Sequence, residues 1–333
     1  MRICSLKNLK AKDTDLDQYF QANSVSIDPL QLYDITGKQG WFIGNPAEFQ
    51  LKKKIESNGK PLKDWDIKIN YGIKTGLNEA FIINTAKRDE LIQLDPKSAD
   101  IIKPILRGRD IKRYGYQWAD LWIIATFPAL KINIDDYPTV KQFLIDFGKD
   151  RLEQSGTKLP DGTKSRKKTG NKWFETQDQI GYHAEFNKEK VVYSEIVQEP
   201  QFYLDTKGEY FAEATTFLMT GERLRLVMAI LHSKAGVYFF KNYYAGGGLG
   251  ENGFRYKKVF LENLPIPILD TIHKQELAGQ IEALVEQILM VKLENPHLEG
   301  VATQTTGVLE VQIDQLVYQL YDLTVEEIGV VEG

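Results

Sequence analysis

A chain of 333 residues, 42% hydrophobic and 26% charged, has the composition of a globular protein and enough length to bury a core without covalent staples. Its single cysteine, Cys4, excludes an internal disulfide and a cysteine-based zinc site. No apolar run nears the ~18 residues of a membrane span, and Met1-Arg2-Ile3-Cys4-Ser5-Leu6 lacks the apolar stretch of a signal peptide, so a cytoplasmic location is expected.

Residues 1–62 mix polar and short amphipathic stretches, and 48–55 are expected as a helix stopped at Asn58-Gly59. Ile67, Ile69 and Tyr71 alternate with polar residues, Gly72 and Gly76 punctuate, and 80–83 are apolar: strand, turn, strand. Residues 99–106 are a short helix candidate and 121–126 a buried strand. Residues 149–172, polar, basic and rich in Gly and Lys, read as a loop, mobile when unbound. Strands are expected at 190–193, 201–204 and 210–211, with a turn at Gly208, and a buried helix at 223–232. Beyond 264–268, Leu277, Ile281, Leu284, Ile288 and Val291 recur at spacings of four and three. Leu309, Ile313, Leu316 and Leu320 repeat the pattern after a break containing Pro296 and Gly300. Two such helices predict an antiparallel hairpin, serving either as ordinary core or as a partner surface.

The formal net charge of −4 conceals a segregation. Residues 103–172 hold fifteen basic and eight acidic residues, a net of +7, whereas 262–333 hold two basic and thirteen acidic, a net of −11. Such separation suits a basic binding surface joined to an acidic element held off nucleic acid, or a lopsided solvated surface.

Catalytic patterns are weak. Asn45-Pro46-Ala47-Glu48-Phe49 lacks the second proline and adjacent aromatic of an amino-methyltransferase turn and reads as a helix-leading turn. Gly248-Leu249-Gly250-Glu251-Asn252-Gly253 fits a nucleotide-binding spacing, but an extended stretch follows it instead of a helix. A flexible loop is expected there, its backbone N–H groups free to approach a phosphate. Asp64, Asp66 and Lys68 resemble a metal-nuclease cluster only superficially. His183, His232, His273 and His297 stand singly, with no i,i+4 pair to seat a metal.

Three segments carry donor chemistry. In 69–81, Gly72, Thr75 and Gly76 permit close backbone approach, and Lys74, Thr75 and Asn78 offer donors to phosphates or base edges. The alternative is a hairpin whose glycines serve only the turn. In 102–114, Arg107, Arg109, Lys112 and Arg113 can brace a phosphate backbone, unless Asp110 pairs internally with an arginine and fixes the turn. In 164–178, Lys164, Arg166, Lys167, Lys168 and Lys172 supply sequence-independent attraction and Trp173 adds an aromatic. Asn171, Glu175, Gln177 and Asp178 can discriminate bases. A solvated loop is the competing reading.

Five ordered motifs then resemble a known family: 72–81 (GIKTGLNEAF), 101–114 (IIKPILRGRDIKRY), 173–178 (WFETQD), 190–196 (KVVYSEI) and 264–267 (LPIP). In this order they are similar to the TaqI-like C-terminal specificity domain of type IIG restriction–modification enzymes and adenine-specific DNA methyltransferases. The resemblance implies an α+β target-recognition domain over 63–265, after a connector (1–62) and before the helical hairpin (266–333). It implies binding of double-stranded DNA beside a methyltransferase domain or subunit. No cofactor is expected in this chain; S-adenosylmethionine and magnesium belong to catalytic parts outside the sequence. The residues expected to face DNA are Lys74, Thr75, Asn78, Arg107, Arg109, Lys112, Arg113, Lys164, Arg166, Lys167, Lys168, Asn171, Lys172, Trp173 and Gln177, together with Gly248, Asn252 and Arg255. A docking or decoy module that binds a methyltransferase, or a complete enzyme of unfamiliar type, are the alternatives.

Overall fold

The computed structural model describes residues 2–4, 16–26, 46–246, 253–294 and 299–333, in two compact units. The smaller comprises 1–58 and 324–333. In it β1 (Arg2–Cys4) pairs antiparallel with β2 (Ser24–Ser26), and a helix, Leu16–Asn23, leads into β2. A second helix, Pro46–Asn58, starts on its proline, whose missing N–H costs nothing at a first helical position. The expected helix and its stop before Gly59 are thus present, and the helix begins at Pro46; Asn45 of the expected turn lies outside the described residues. Lys54 reaches Glu327 at 2.5 Å in the terminal helix Val325–Glu332, which Thr324 and Glu327 cap reciprocally.

The larger unit, 59–323, opens with β3 (Gly59–Pro61), then β4 (Ile67–Tyr71), β5 (Ile82–Asn84), β6 (Ile102–Leu106), β7 (Ile111–Lys112), β8 (Gly115–Tyr116) and β9 (Leu121–Ile124). It continues with β10 (Lys190–Ser194), β11 (Ile196–Val197), β12 (Phe202–Asp205), β13 (Phe211–Ala212), β14 (Thr216–Gly221), β15 (Phe254–Arg255) and β16 (Pro265–Pro267). One antiparallel sheet has the order β12-β10-β14-β4, and a mixed sheet the order β13-β6-β9-β5, with β13 parallel to β6. Val192 and Leu218 of the first sheet and Ile105, Leu106, Ile123 and Phe211 of the second meet in one core. Each such side chain removed from water contributes about 1.5–3 kcal/mol.

The outer faces are covered by helices. Thr85–Leu94 and Pro138–Leu152 lie on the mixed sheet through Leu91, Val140 and Leu144. Leu224–His232 is buried at eight of nine positions because it contacts the first sheet on one side and the long helix Ile272–Glu294 on the other. Ile272–Glu294 packs on Glu299–Leu320, and four residues connect them, so the two run antiparallel. The seam residues Leu277, Ile281, Ile288, Ile313 and Leu320 are buried, while Leu284, Val291, Leu309 and Leu316 are half-buried. Gly300 lies inside the second helix; Pro296 lies outside the described residues. The hairpin belongs to the same compact unit as the sheets. The expected α+β class is observed.

Three expected elements differ. Residues 99–106 form a short 3-10 turn and β6, because Pro104 cannot continue a helix and Ile102 finds a cross-strand partner in Ile124. Pro104 sits where β6 faces only β9, and β13 begins to pair at Ile105. Residues 78–81 form a helical turn before β5. Residues 149–152 end a helix, and 155–166 fold back on themselves as an irregular hairpin, with bonds from Gly156 N–H to Arg166 O (2.9 Å) and Ser165 N–H to Thr157 O (2.9 Å).

Candidate nucleic-acid interface

Strand ends meet along one edge of the two sheets. Tyr71 lies opposite Phe217 and Ser194 opposite Thr216, so β4 and β10 end where β14 begins. β6 and β13 end together, Leu106 beside Ala212. Backbone bonds stitch the exits: Gly72 N–H to Thr216 O (2.8 Å), Ile73 N–H to Ala212 O (2.7 Å), Glu213 N–H to Leu106 O (2.9 Å) and Glu195 N–H to Thr215 O (3.1 Å). Gly72 permits this approach, since a Cβ there would sit 2.0 Å from the Glu213 carbonyl oxygen. Loops 72–78, 107–110 and 213–215, with Glu195 between β10 and β11, therefore leave from one place.

A polar lattice orders them. Asn78 Nδ2 donates to Glu213 Oε1 (3.2 Å), and the Thr75 hydroxyl donates to Asn78 Oδ1 (2.5 Å). Thr215 donates to Glu213 Oε2 through N–H (3.1 Å) and Oγ1 (2.7 Å), and its Oγ1 accepts from Gly108 N–H (3.2 Å). The 165–179 segment joins the same edge. Gln177 N–H donates to Thr75 O (3.1 Å) and Asp178 N–H to Lys74 O (3.3 Å). Arg255 adds a cation beside β11, 3.9 Å from Glu195.

The expected DNA-facing residues divide accordingly. Lys74, Asn78, Arg109, Lys164, Lys167, Lys168 and Lys172 are exposed. Gln177 is half-buried on the loop edge, and Trp173 is half-buried against Phe174 with Lys149 Nζ 5.6 Å from its ring centre. Gly248 and Asn252 lie outside the described residues.

Other expectations require correction. Arg166 is only 3% exposed and contacts backbone instead of solvent. It donates through Nε to Leu152 O (2.9 Å), through Nη1 to Thr75 O (3.0 Å) and Glu175 O (2.7 Å), and through Nη2 to Trp173 O (2.5 Å). Burial lowers its pKa to about 10, which leaves it charged at neutral pH. Thr75 is buried, its hydroxyl committed to Asn78. Asn171 spends its amide on the Thr176 and Gln177 carbonyls (3.1 and 2.8 Å) and accepts from Gln179. Arg107 grips Asp110 as a fork (3.0 and 2.8 Å), the internal pair left open above, and that bond with the charges of Asp110 and Glu213 raises its pKa despite partial burial. Arg113 points away, into Glu310 and the His232 carbonyl. Lys112 folds onto the Arg109 carbonyl (3.2 Å).

Glu213 and Thr215, at the centre of the lattice, were not singled out from the sequence. Their signal is a lone carboxylate inside an otherwise uncharged run, Phe211-Ala212-Glu213-Ala214-Thr215-Thr216-Phe217.

Residues 103–266 match the TaqI-like C-terminal specificity domain. The family likeness read from the five motifs is borne out, and with it a specificity domain of restriction–modification enzymes. The Type II methyltransferase M.PaeR7I of Pseudomonas aeruginosa is 22% identical over 238 residues, covering 69% of this chain and 38% of that protein. Among solved structures, the Type IIL restriction–modification enzyme MmeI in complex with DNA superposes with a TM-score of 0.56 at 15% identity, over 82% of this chain and 35% of that one. The type IIG restriction endonuclease BpuSI gives a TM-score of 0.46 at 16% identity, over 83% and 33%. The chain thus spans little more than a third of these relatives. No helix among the described residues is long and apolar enough to cross a membrane.

Proposed function

We propose that this TaqI-like specificity domain recognises a short double-stranded DNA site and directs a separate N6-adenine methyltransferase or endonuclease part to it. The observation that carries the reading is the convergence of loops 72–78, 107–110, 171–178 and 213–215 on one strand-end edge, with the lysine-bearing 155–166 hairpin joined to that edge through Arg166. Lys74, Lys164, Lys167, Lys168 and Lys172 neutralise phosphates, while Asn78 and Gln177 face base edges. Arg255, opposite Ile196 and near Glu195, borders the same edge. S-adenosylmethionine and magnesium act in the catalytic part, which flips and methylates the adenine. A cytoplasmic site of action follows from this reading.

Titration of duplex DNA at several salt concentrations tests it. With about five cations on phosphates, log affinity falls against log salt with a slope near −4.5. Selection from a randomised duplex pool enriches one short sequence. Binding indifferent to salt, or a pool that stays random, overturns the reading.

A docking role for the helical hairpin is favoured by Met290, Leu293, Val308 and Val311, each more than half exposed on its outer side. Co-purification with the methyltransferase part, retained after nuclease treatment, tests that role.

A further inference from the structure

We propose that Arg166 is a positioning residue that ties the lysine hairpin to both recognition loops, so that discrimination between DNA sequences depends on it while cationic attraction does not. This rests on the DNA reading above. Four of its five N–H groups are spent on carbonyls from three separate places: Leu152 at the end of a helix, Thr75 in the first loop, and Trp173 and Glu175 in the third. The guanidinium also lies 4.9 Å from the ring centre of Phe81, the last residue of the helical turn that follows the first loop. Its own carbonyl accepts from Gly156 N–H, which closes the hairpin. A planar fork presents donors along both edges at fixed angles; an ammonium cannot reach four such carbonyls at once. A base-reading amide displaced by an ångström loses its paired hydrogen bonds, whereas a phosphate contact by a flexible lysine tolerates the shift.

Gly76 offers an independent perturbation. Its φ is +81°, and an added Cβ would lie 3.1 Å from Gln177 Cβ and Oε1 and 3.3 Å from Arg166 Cδ. Both variants of the full chain, Arg166→Lys and Gly76→Ala, are titrated with the selected duplex and a scrambled one across a salt series. The expected result is a loss of discrimination of about tenfold or more with the salt slope unchanged. A third variant, Arg166→Gln, removes the charge: there, a slope shallower by about 0.9 with discrimination intact marks Arg166 as a phosphate contact and overturns the proposal. A role confined to stability lowers the folded fraction and weakens both duplexes equally; an unchanged ratio in both variants therefore also overturns it. Should Arg166→Lys fail to fold, Gly76→Ala is read against Gln177→Ala: a loss of discrimination beyond that of Gln177→Ala supports the proposal, and an equal or smaller loss overturns it. An unaltered chain with no preferred duplex removes the DNA reading and this proposal together, whereas a preference that survives both substitutions removes only the proposal.

Discussion

Glu213 illustrates how one carboxylate organises a surface. It accepts from Asn78 on one oxygen and from both donors of Thr215 on the other, while only 8% exposed. Glu213→Ala removes the acceptor of these three bonds; Asn78 and Thr215 are exposed and water replaces it, so a loss of only about 0.5–1.5 kcal/mol is expected in urea unfolding. His232 gives a pH-dependent prediction. Burial and the nearby charge of Arg113 hold its pKa well below the ordinary value, and its Nε2 accepts from Phe202 N–H at 3.2 Å. The folded chain therefore keeps it neutral while the unfolded chain binds a proton below pH ~6.5. Its contribution is complete above that pH and declines as pH falls, by up to about 1.4 kcal/mol per unit. Urea midpoints measured between pH 7.5 and 5.5 are expected to fall less steeply in His232→Gln. The lattice around Glu213 was not legible in the sequence, whereas His232, in an apolar helix at 223–232, reads as a satisfied core residue and is buried with its Nε2 bonded. The residue types that carry the chemistry were visible, but burial of Arg166 and pairing of Arg113 depend on carbonyls and carboxylates distant along the chain.

Strands and helices were legible where the local pattern was plain, in alternation or in an unbroken apolar run: Lys190–Ser194 and Leu224–His232 are almost wholly buried and were expected. Ile67–Tyr71 alternates and was expected; Thr216–Gly221 is buried at five of six positions, offers no alternation, and passed unread. The helix Pro138–Leu152 also passed unread, its apolar face interleaved with Lys and Asp. At this scale the pair Lys190–Asp205 joins β10 to β12, fully buried, with the ammonium also donating to Phe186 O. Burial lowers the Lys190 pKa and Asp205 works against that shift. Asp205→Ala leaves a buried cation unpaired and also removes the acceptor of Glu209 and Tyr210 N–H. A loss of about 3–5 kcal/mol is expected in equilibrium unfolding.

Charge is distributed by assembly of the larger unit. Carboxylates of the helical hairpin are engaged by cations of the recognition body: Glu282 by Arg223, Glu286 by Arg225 and Glu310 by Arg113. Lys167 and Lys168 remain exposed. The double substitution Lys167→Gln/Lys168→Gln is thus expected to make the salt slope of duplex binding shallower by about 1.8, while Arg113→Gln leaves it unchanged. Equal effects from the two, measured in parallel titrations, contradict this assignment of cations.

By itself the sequence determined the segregation of charge, the seams of the helical hairpin, the alternating strand before Gly72 and the family likeness, since composition, periodicity and ordered motifs are local properties of a chain. Tertiary structure alone decided which cations face solvent and which are consumed inside. An arginine and a lysine look alike as letters, but their availability is set by the groups the fold brings within hydrogen-bonding distance, and those partners come from strand ends far apart in the sequence.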